Sequence, residues 1–229
     1  MKILSVIPAR GGSKGIKKKN IVNLNGKPLI AYTIEESLKS KYINRTIVST
    51  DSKEIADISK TYGADVPFMR PKELGLDSTK TIDVLIHALK EVGLNGETYD
   101  YVVLLQPTQP LRKVFHIDES IELLIKNKGD SLVSVSKVKD HPILIRKLLE
   151  NGEVVNLFNC SSDVIKDELQ DYYMVNGAIY INKIQENLNL NTSLNDNKLA
   201  YIMEQKYNID IDDMMDLKLV EIIMNKKLL

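Results

Sequence analysis

Apolar positions along the chain fall into two kinds of run that take turns. Residues 3–7, ILSVI, are apolar almost without a break and stop at Pro8, which predicts a strand buried on both faces, as strands of a parallel sheet are. TIVSTD at 46–51 and YDYVVLLQP at 99–107 have the same character, the latter again stopped by proline. Between them the apolar spacing changes. After a loop, PLIAYTIEESLK from Pro28 places Leu29, Ile30, Tyr32, Thr33 and Leu38 at three-and-four spacing with acids on the other side, an amphipathic helix with proline in its first turn. SKEIADISKTYG predicts a short helix capped by Ser52 and stopped by Gly63, VPFMRP a short extended stretch, and TIDVLIHALKEVG a helix ended by glycine.

Strand and helix alternating at this pitch predict an α/β fold: three layers, α/β/α, around a mostly parallel, Rossmann-like sheet. Ligands of such sheets sit at the carboxyl ends of the strands. Three turns are thereby placed on one rim: PARGGSKG, STDS and LLQPTQPLR. The second half reads differently. After a helix around 114–126, SLVSVSKV alternates apolar and polar residues, and HPILIRKLLENGEVVNLF predicts a β-hairpin turning at Asn151-Gly152, so that 138–175 resembles an insertion. NGAIYIN and LAYIME return to strands, and the chain's last stretch, from IDIDDMMDL on, predicts an amphipathic helix. No internal repeat interrupts this order, and 1–229 reads as one domain carrying the insertion.

Charge narrows the function. Lysine plus arginine equals aspartate plus glutamate at 31 each over 229 residues, without the broad basic excess of a nucleic-acid binder, so any anion site must be local. The one cysteine, Cys160, allows no intrachain disulfide and fits a reducing compartment. ILSVI is too short for a signal peptide and no run approaches the length of a membrane span, so a cytoplasmic protein is expected, without a membrane partner.

The local anion site has an evident candidate. ARGGSKGIKKKN at 9–20 mixes three glycines with one arginine and four lysines directly after the first strand. Glycines let backbone N–H groups approach a polyphosphate, and the cations neutralise it. Its spacing matches neither G-x-x-x-x-G-K-[ST], since Ile16 stands five residues after Gly11, nor G-x-G-x-x-G. Near the other end, alternation in Ile209-Asp210-Ile211-Asp212 puts both aspartates on one side of an extended segment, where two acids can converge on one cation. Spacing leaves another reading equally open, in which Asp212 or Asp213 caps the following helix and Asp216 favours its first turn.

Taken in order, IPARGGSKGIKKKNI, STDSKEIADISKTYGADVPFMRP, LLQPTQPLR, NGAIYI and IDIDDMMDL resemble the CMP-sialic acid synthetases, the cytidylyltransferases that activate nine-carbon keto-sugar acids. The likeness runs over nearly the whole chain. It implies transfer of CMP from CTP to the sugar's anomeric hydroxyl, with release of pyrophosphate and with Mg2+ as cofactor. It also implies roles: Arg10, Ser13, Lys14, Lys19 and Asn20 on the triphosphate, with Arg10 and Lys19 stabilising charge; Arg70 on the base and Thr81 near the ribose or phosphates; Gln106, Asn176 and Tyr180 on the sugar; Asp210 and Asp212 on the metal, which leaves Asp213 as the cap. A surface ion pair for Arg70 and plain strand packing for Tyr180 are the competing readings. A homodimer is implied too, built by the 138–175 insertion.

The chain departs from the family pattern in places. Lys17 and Lys18 stand where many relatives have Pro-Arg and read as surface charges. Leu144 occupies a position after His141-Pro142 where relatives often carry a basic residue, and the segment before NGAIYI has Lys166 but no arginine. The sugar carboxylate is then met differently, or the preferred sugar differs. His87, His116 and His141 are scattered, form no metal cluster, and suggest no general base; a coordinated cation could activate the hydroxyl instead. Two other functions fit the same fold: transfer of another nucleotide or to another sugar, and a noncatalytic nucleotide-binding regulatory subunit. Coexistence of the loop cations, Gln106 and the paired aspartates speaks against the regulatory subunit.

Overall fold

The structure, a computed structural model, describes residues 1–158, 170–185 and 188–226, so Cys160 and Lys166 lie outside the described residues. The strands are β1 (Ile3–Pro8), β2 (Asn23–Leu24), β3 (Lys27–Pro28), β4 (Arg45–Ser49), β5 (Tyr101–Leu104), β6 (Ser131–Lys137), β7 (Arg146–Leu148), β8 (Val154–Asn156), β9 (Tyr173–Lys183) and β10 (Leu199–Ile202). The helices are α1 (Leu29–Leu38), α2 (Lys53–Thr61), α3 (Thr81–Leu94), α4 (Val114–Lys126) and α5 (Met214–Asn225). Six strands make the central sheet in the order β10-β6-β9-β5-β1-β4. All neighbours run parallel except where β9 lies antiparallel between β5 and β6.

Alternation along β1 shows why the fold has three layers. Ile3 and Ile7 point to one face, where they meet Ile30 of α1, Ile55 of α2, Ile117 of α4 and Leu217 of α5. Leu4 and Val6 point to the other, against Ile82, Leu85 and Val92 of α3. A strand sandwiched in this way must be apolar at nearly every position, which is the pattern ILSVI carries.

Some boundaries differ from expectation. The segment after the glycine-rich loop contains a small hairpin, β2–β3, whose turn residues Asn25 and Gly26 both have positive φ (48° and 85°), the backbone an Asn-Gly hairpin turn demands. Helix α3 runs through Gly93 to Leu94, and the left-handed residue beyond it is Gly96. VPFMRP forms no strand; next to it only Asp65 bridges to Ile47. The 138–175 region does contain the hairpin β7–β8, entered where β6 ends and left where β9 begins, with Lys137 paired to Tyr173.

The central irregularity is in β9. Val133 pairs with Tyr180 but Val135 with Val175, so Asn176-Gly177-Ala178 bulge out of the ladder. Asn176 sews the bulge shut: its Oδ1 accepts from Ser134 Oγ (2.5 Å) and from the Ala178 N–H (3.1 Å), and its Nδ2 donates to Ser136 Oγ (3.0 Å).

His116 shows how tightly the helical face is packed. It is 2% exposed in the first turn of α4, its Nδ1 accepts the Lys113 N–H (3.0 Å), and its ring meets Tyr207 edge-on. Burial, helped by the charges of Arg112, Lys113 and Lys206, pushes its pKa from 6.5 down to about 4. The folded state therefore holds it neutral. Its contribution to stability is complete above pH 6.5 and is lost as pH falls toward about 4, by about 2–3 kcal/mol. Urea unfolding at pH 7 and pH 4.5 should show His116→Gln losing less stability on acidification than the wild type; parallel losses would contradict a buried neutral imidazole.

Candidate active site

The loop after β1 is shaped by its own polar side chains. Ser13 Oγ donates to the Ile16 carbonyl (2.5 Å) and accepts the Lys19 N–H (3.0 Å), Asn20 Nδ2 donates to the Arg10 carbonyl (2.9 Å), and the Gly11 N–H donates to Asp51 Oδ1 (2.8 Å) at the end of β4. Ile16 plugs the loop into the core. Gly15 packs so closely on the far end of the chain that a Cβ there would lie 2.3 Å from the Asp212 carbonyl oxygen, so only glycine admits this approach.

That approach assembles a cleft of about 350 Å3 lined by Arg10, Lys19, Asn20, Arg70, Asp77, Thr79, Thr81, Gln106, Thr108, Asp210 and Asp212. Lys19 Nζ pairs with Asp212 Oδ1 at 2.9 Å. Arg10 pairs with Asp77, whose other carboxylate oxygen takes Lys14 at 2.7 Å, and these two cations hold the Asp77 carboxyl below the usual carboxylate range. Arg70 is buried, its N–H bonded to the Thr50 carbonyl and its Nη2 3.5 Å from Asp51. Burial draws its guanidinium down; Asp51 works against that and Arg10 adds to it.

Asp210 and Asp212 both face this cleft, as the alternation in IDID predicts, while Ile211 is fully buried between them and donates its N–H to the Thr108 carbonyl (2.9 Å). The Asp210 carboxyl is held above its ordinary range, first by burial and then by Asp212, against the pull of a Thr108 hydrogen bond and of Lys19. Asp213 caps α5, accepting the Met215 and Asp216 N–H groups at 2.7 and 3.0 Å. Among the described residues no group of three or more His, Cys, Asp or Glu is placed to hold a metal ion.

A second cavity of about 590 Å3 adjoins the first and shares Thr81 and Gln106 with it. Its other walls are Lys80, Ile82, Tyr180 and the loop 190–195. Tyr180 Oη donates to Asn195 Oδ1 (3.0 Å) across it. Gln106 lies over the bulge: a Cβ on Gly177, whose φ is +75°, would stand 2.6 Å from Gln106 Oε1.

Of the residues singled out by the sequence, Arg10, Lys19, Asn20, Arg70, Thr81, Gln106, Asp210 and Asp212 come together in the smaller cleft, and Tyr180 in the larger. Ser13 shapes the loop from outside the cleft, and Lys14 reaches Asp77 from an exposed position. Asn176 departs from expectation. Its carboxamide is used within the bulge and its carbonyl accepts from Gln109 Nε2 (2.7 Å), so neither cavity receives it. Lys17 is exposed, whereas Lys18 pairs with Glu54 on α2 (2.6 Å). None of the three histidines lines either cavity. Asp51, Asp77 and Thr108 went unnoticed in the sequence. STDS and LLQPTQPLR both fall on the rim, yet nothing within either turn sets Asp51 or Thr108 apart from its neighbours, and nothing local marks Asp77.

A cleft that joins a glycine-rich cationic loop to paired aspartates can be compared with known proteins. The family model described as cytidylyltransferase matches residues 4–226. The chain belongs to the cytidylyltransferase family. It is 36% identical, over 98% of its length and 97% of the relative's, to a CMP-N,N'-diacetyllegionaminic acid synthase of Legionella pneumophila. It is 37% identical over 99% of its length to an N-acylneuraminate cytidylyltransferase of Escherichia coli, of which it spans 53%, and it spans about half of a similar enzyme of Streptococcus agalactiae. Among solved structures, a CMP:2-keto-3-deoxy-manno-octonic acid synthetase complexed with CTP superposes with a TM-score of 0.74 at 16% identity, covering 99% of this chain and 100% of that one. That likeness concerns the fold.

Asp77 competes with any anion for Arg10 and Lys14. Asp77→Asn should therefore tighten binding of inorganic tripolyphosphate by about two- to fivefold in titration calorimetry, and weaker binding would show that the carboxylate positions the cations instead.

Proposed function

We propose that this protein transfers CMP from CTP to the anomeric hydroxyl of a nine-carbon keto-sugar acid, sialic acid or a relative such as legionaminic acid, and releases pyrophosphate. The observation that carries this reading is the smaller cleft, where cations from the chain's start face two carboxylates from its end, next to a larger polar cavity that shares Gln106. Arg10, Lys14 and Lys19 take the triphosphate, Arg70 and Thr81 the nucleoside, and Gln106 and Tyr180 the sugar. Nucleotidyl transfer asks little covalent chemistry of a protein; it asks for positioning and for charge placed where charge develops. The anomeric hydroxyl gives up its proton to water as its oxygen forms the bond to the α-phosphorus and the bond to pyrophosphate breaks, and Arg10 and Lys19 would meet the leaving charge.

Asp210 and Asp212 would hold Mg2+. Their fit rests on donor chemistry: two hard oxygen ligands on one side of an extended segment, one held too basic by burial and by the other's charge, a conflict that a dication relieves. When bound, the ion supplies neutralisation of the phosphates and polarisation of the reacting centre. Relatives named for N-acylneuraminate, legionaminic and pseudaminic acids support the substrate class.

The reading extends to assembly and place. Residues 1–229 act as one nucleotidyltransferase domain, and 138–175 acts as a dimerisation insertion, since Leu144, Leu148, Val154 and Leu157 of the hairpin region and Met174 of β9 are all more than half exposed. A cytoplasmic location suits soluble nucleotide substrates, and no described helix is long and apolar enough to cross a membrane.

Pyrophosphate release should be measured with Mg2+, each of the four NTPs and a panel of eight- and nine-carbon keto sugars. CTP with a nine-carbon sugar is the expected pair; no turnover with any such pair would sink the proposal. In the active pair, Arg10→Ala should lower kcat by about tenfold or more. Light scattering after gel filtration should give a dimer for the wild type and a monomer for Leu148→Glu/Val154→Glu, and a monomeric wild type would remove the insertion's role.

A further inference from the structure

We infer that Arg112 is a positioning residue: it holds β5 and β9 apart at the rim and so sets the place of Gln106 between the two cavities. This deepens the proposed function and rests on that reading for its kinetic consequence. Arg112 ends the motif LLQPTQPLR and is 1% exposed. Among the described residues no carboxylate pairs with it. Its Nη1 donates to the carbonyls of Gln106 (3.2 Å) and Ala178 (2.9 Å), and its Nη2 to Thr33 Oγ1 (2.7 Å). Burial draws its pKa down to about 9, with Glu36 acting against that from a distance, which shows how costly the site is for a cation.

The position explains what the cost achieves. The β5–β9 ladder ends at Leu104 opposite Tyr180. Continuing that register, Gln106 stands opposite Ala178, and there the two main chains do not bond each other: a single guanidinium nitrogen bonds both carbonyls. Two residues back along β9, the Asn176 carbonyl is taken in the same manner by Gln109 Nε2, whose Oε1 has no partner among the described residues. Side chains of the turn after β5 thus replace the ladder just where the sheet must open. The opened strands put the Gln106 carboxamide over Gly177, in the wall common to both cavities. A leucine or methionine could fill the space but could not bind two facing carbonyls.

The test has two arms. Hydrogen exchange, which needs no substrate, should show faster exchange in Arg112→Met confined to residues 105–109 and 176–179, with β1 and β4 unchanged. Unchanged exchange, or faster exchange across the whole sheet, would overturn the strut. In kinetics, Arg112→Met should raise KM for the sugar acid by about tenfold or more while KM for CTP moves less than about threefold. Arg112→Lys, which keeps the charge and one donor direction, should recover part of the loss. Since Arg112 is argued to act through Gln106, Arg112→Met should add little to the sugar KM in a Gln106→Ala background. Additive effects, or equal losses for CTP and sugar, would overturn the inference. A wild type inactive with every pair would instead count against the proposed function and leave the exchange result to judge the strut.

Discussion

Everything proposed for this molecule depends on one close contact, that of Gly15 with the backbone of Asp212. The glycine-rich loop leaves β1 near the chain's start and the aspartates precede its last helix, yet Lys19 and Asp212 pair across 193 residues of sequence. A side chain at Gly15 would hold the two segments apart. With the contact made, cations and carboxylates close over the same rim, and the core beneath is what makes the closure rigid: Ile16 and Ile211, one from each segment, are both buried in the same cluster of side chains.

The electrostatics follow from that closure. Charges balance over the whole chain, but in the cleft they are gathered, so each cation sits beside an acid. Arg10 and Lys14 have Asp77, Lys19 has Asp212, and Arg70 has Asp51. Most of these pairs are open to water, so each contributes little to stability and is easily exchanged for a phosphate oxygen. Arg70 is the exception. It is buried, and it is held by the Thr50 carbonyl through its backbone as well as by Asp51 through its side chain, a fixed geometry that suits the role on the nucleoside proposed for it.

Which features could be read from the sequence follows from how local their causes are. The alternation of apolar runs and amphipathic helices revealed the layers because burial on two faces or on one leaves a period in the sequence. Asp210 and Asp212 could be placed on one side of a segment by alternation alone, and Ser52 could be read as a cap from its residue type, whereas spacing left Asp212 and Asp213 equal as the cap of the last helix and only the family resemblance chose Asp213. The bulge in β9 could not. NGAIYI looks like an ordinary strand, and only the shift in pairing between Val133 and Val135 shows that Asn176 is consumed in holding the chain together. Arg112 and Asp77 escaped for the same reason. Their partners are fixed by topology, at the crossing of β5 with β9 and at the loop before α3, and no spacing within the chain announces such meetings.

The antiparallel strand gives the cleft its two natures. Where β1, β4 and β5 run parallel, their carboxyl ends all reach one rim, and the smaller cleft is built there from short turns bonded to one another, as Gly11 is to Asp51 and Ile211 to Thr108. Where β9 enters in the opposite sense, the rim receives the start of a strand instead. That start carries a bulge and the end of the 138–175 segment, and the loop 190–195, which comes after the strand's other end, walls the larger cavity. Insertions and loops can change without altering the register of β1, β4 and β5. A proposed preference for one nine-carbon sugar over another would accordingly be lodged on the β9 side, and Gln106, braced by Arg112 at the seam between the two arrangements, is the residue through which a change on that side would be felt by the nucleotide.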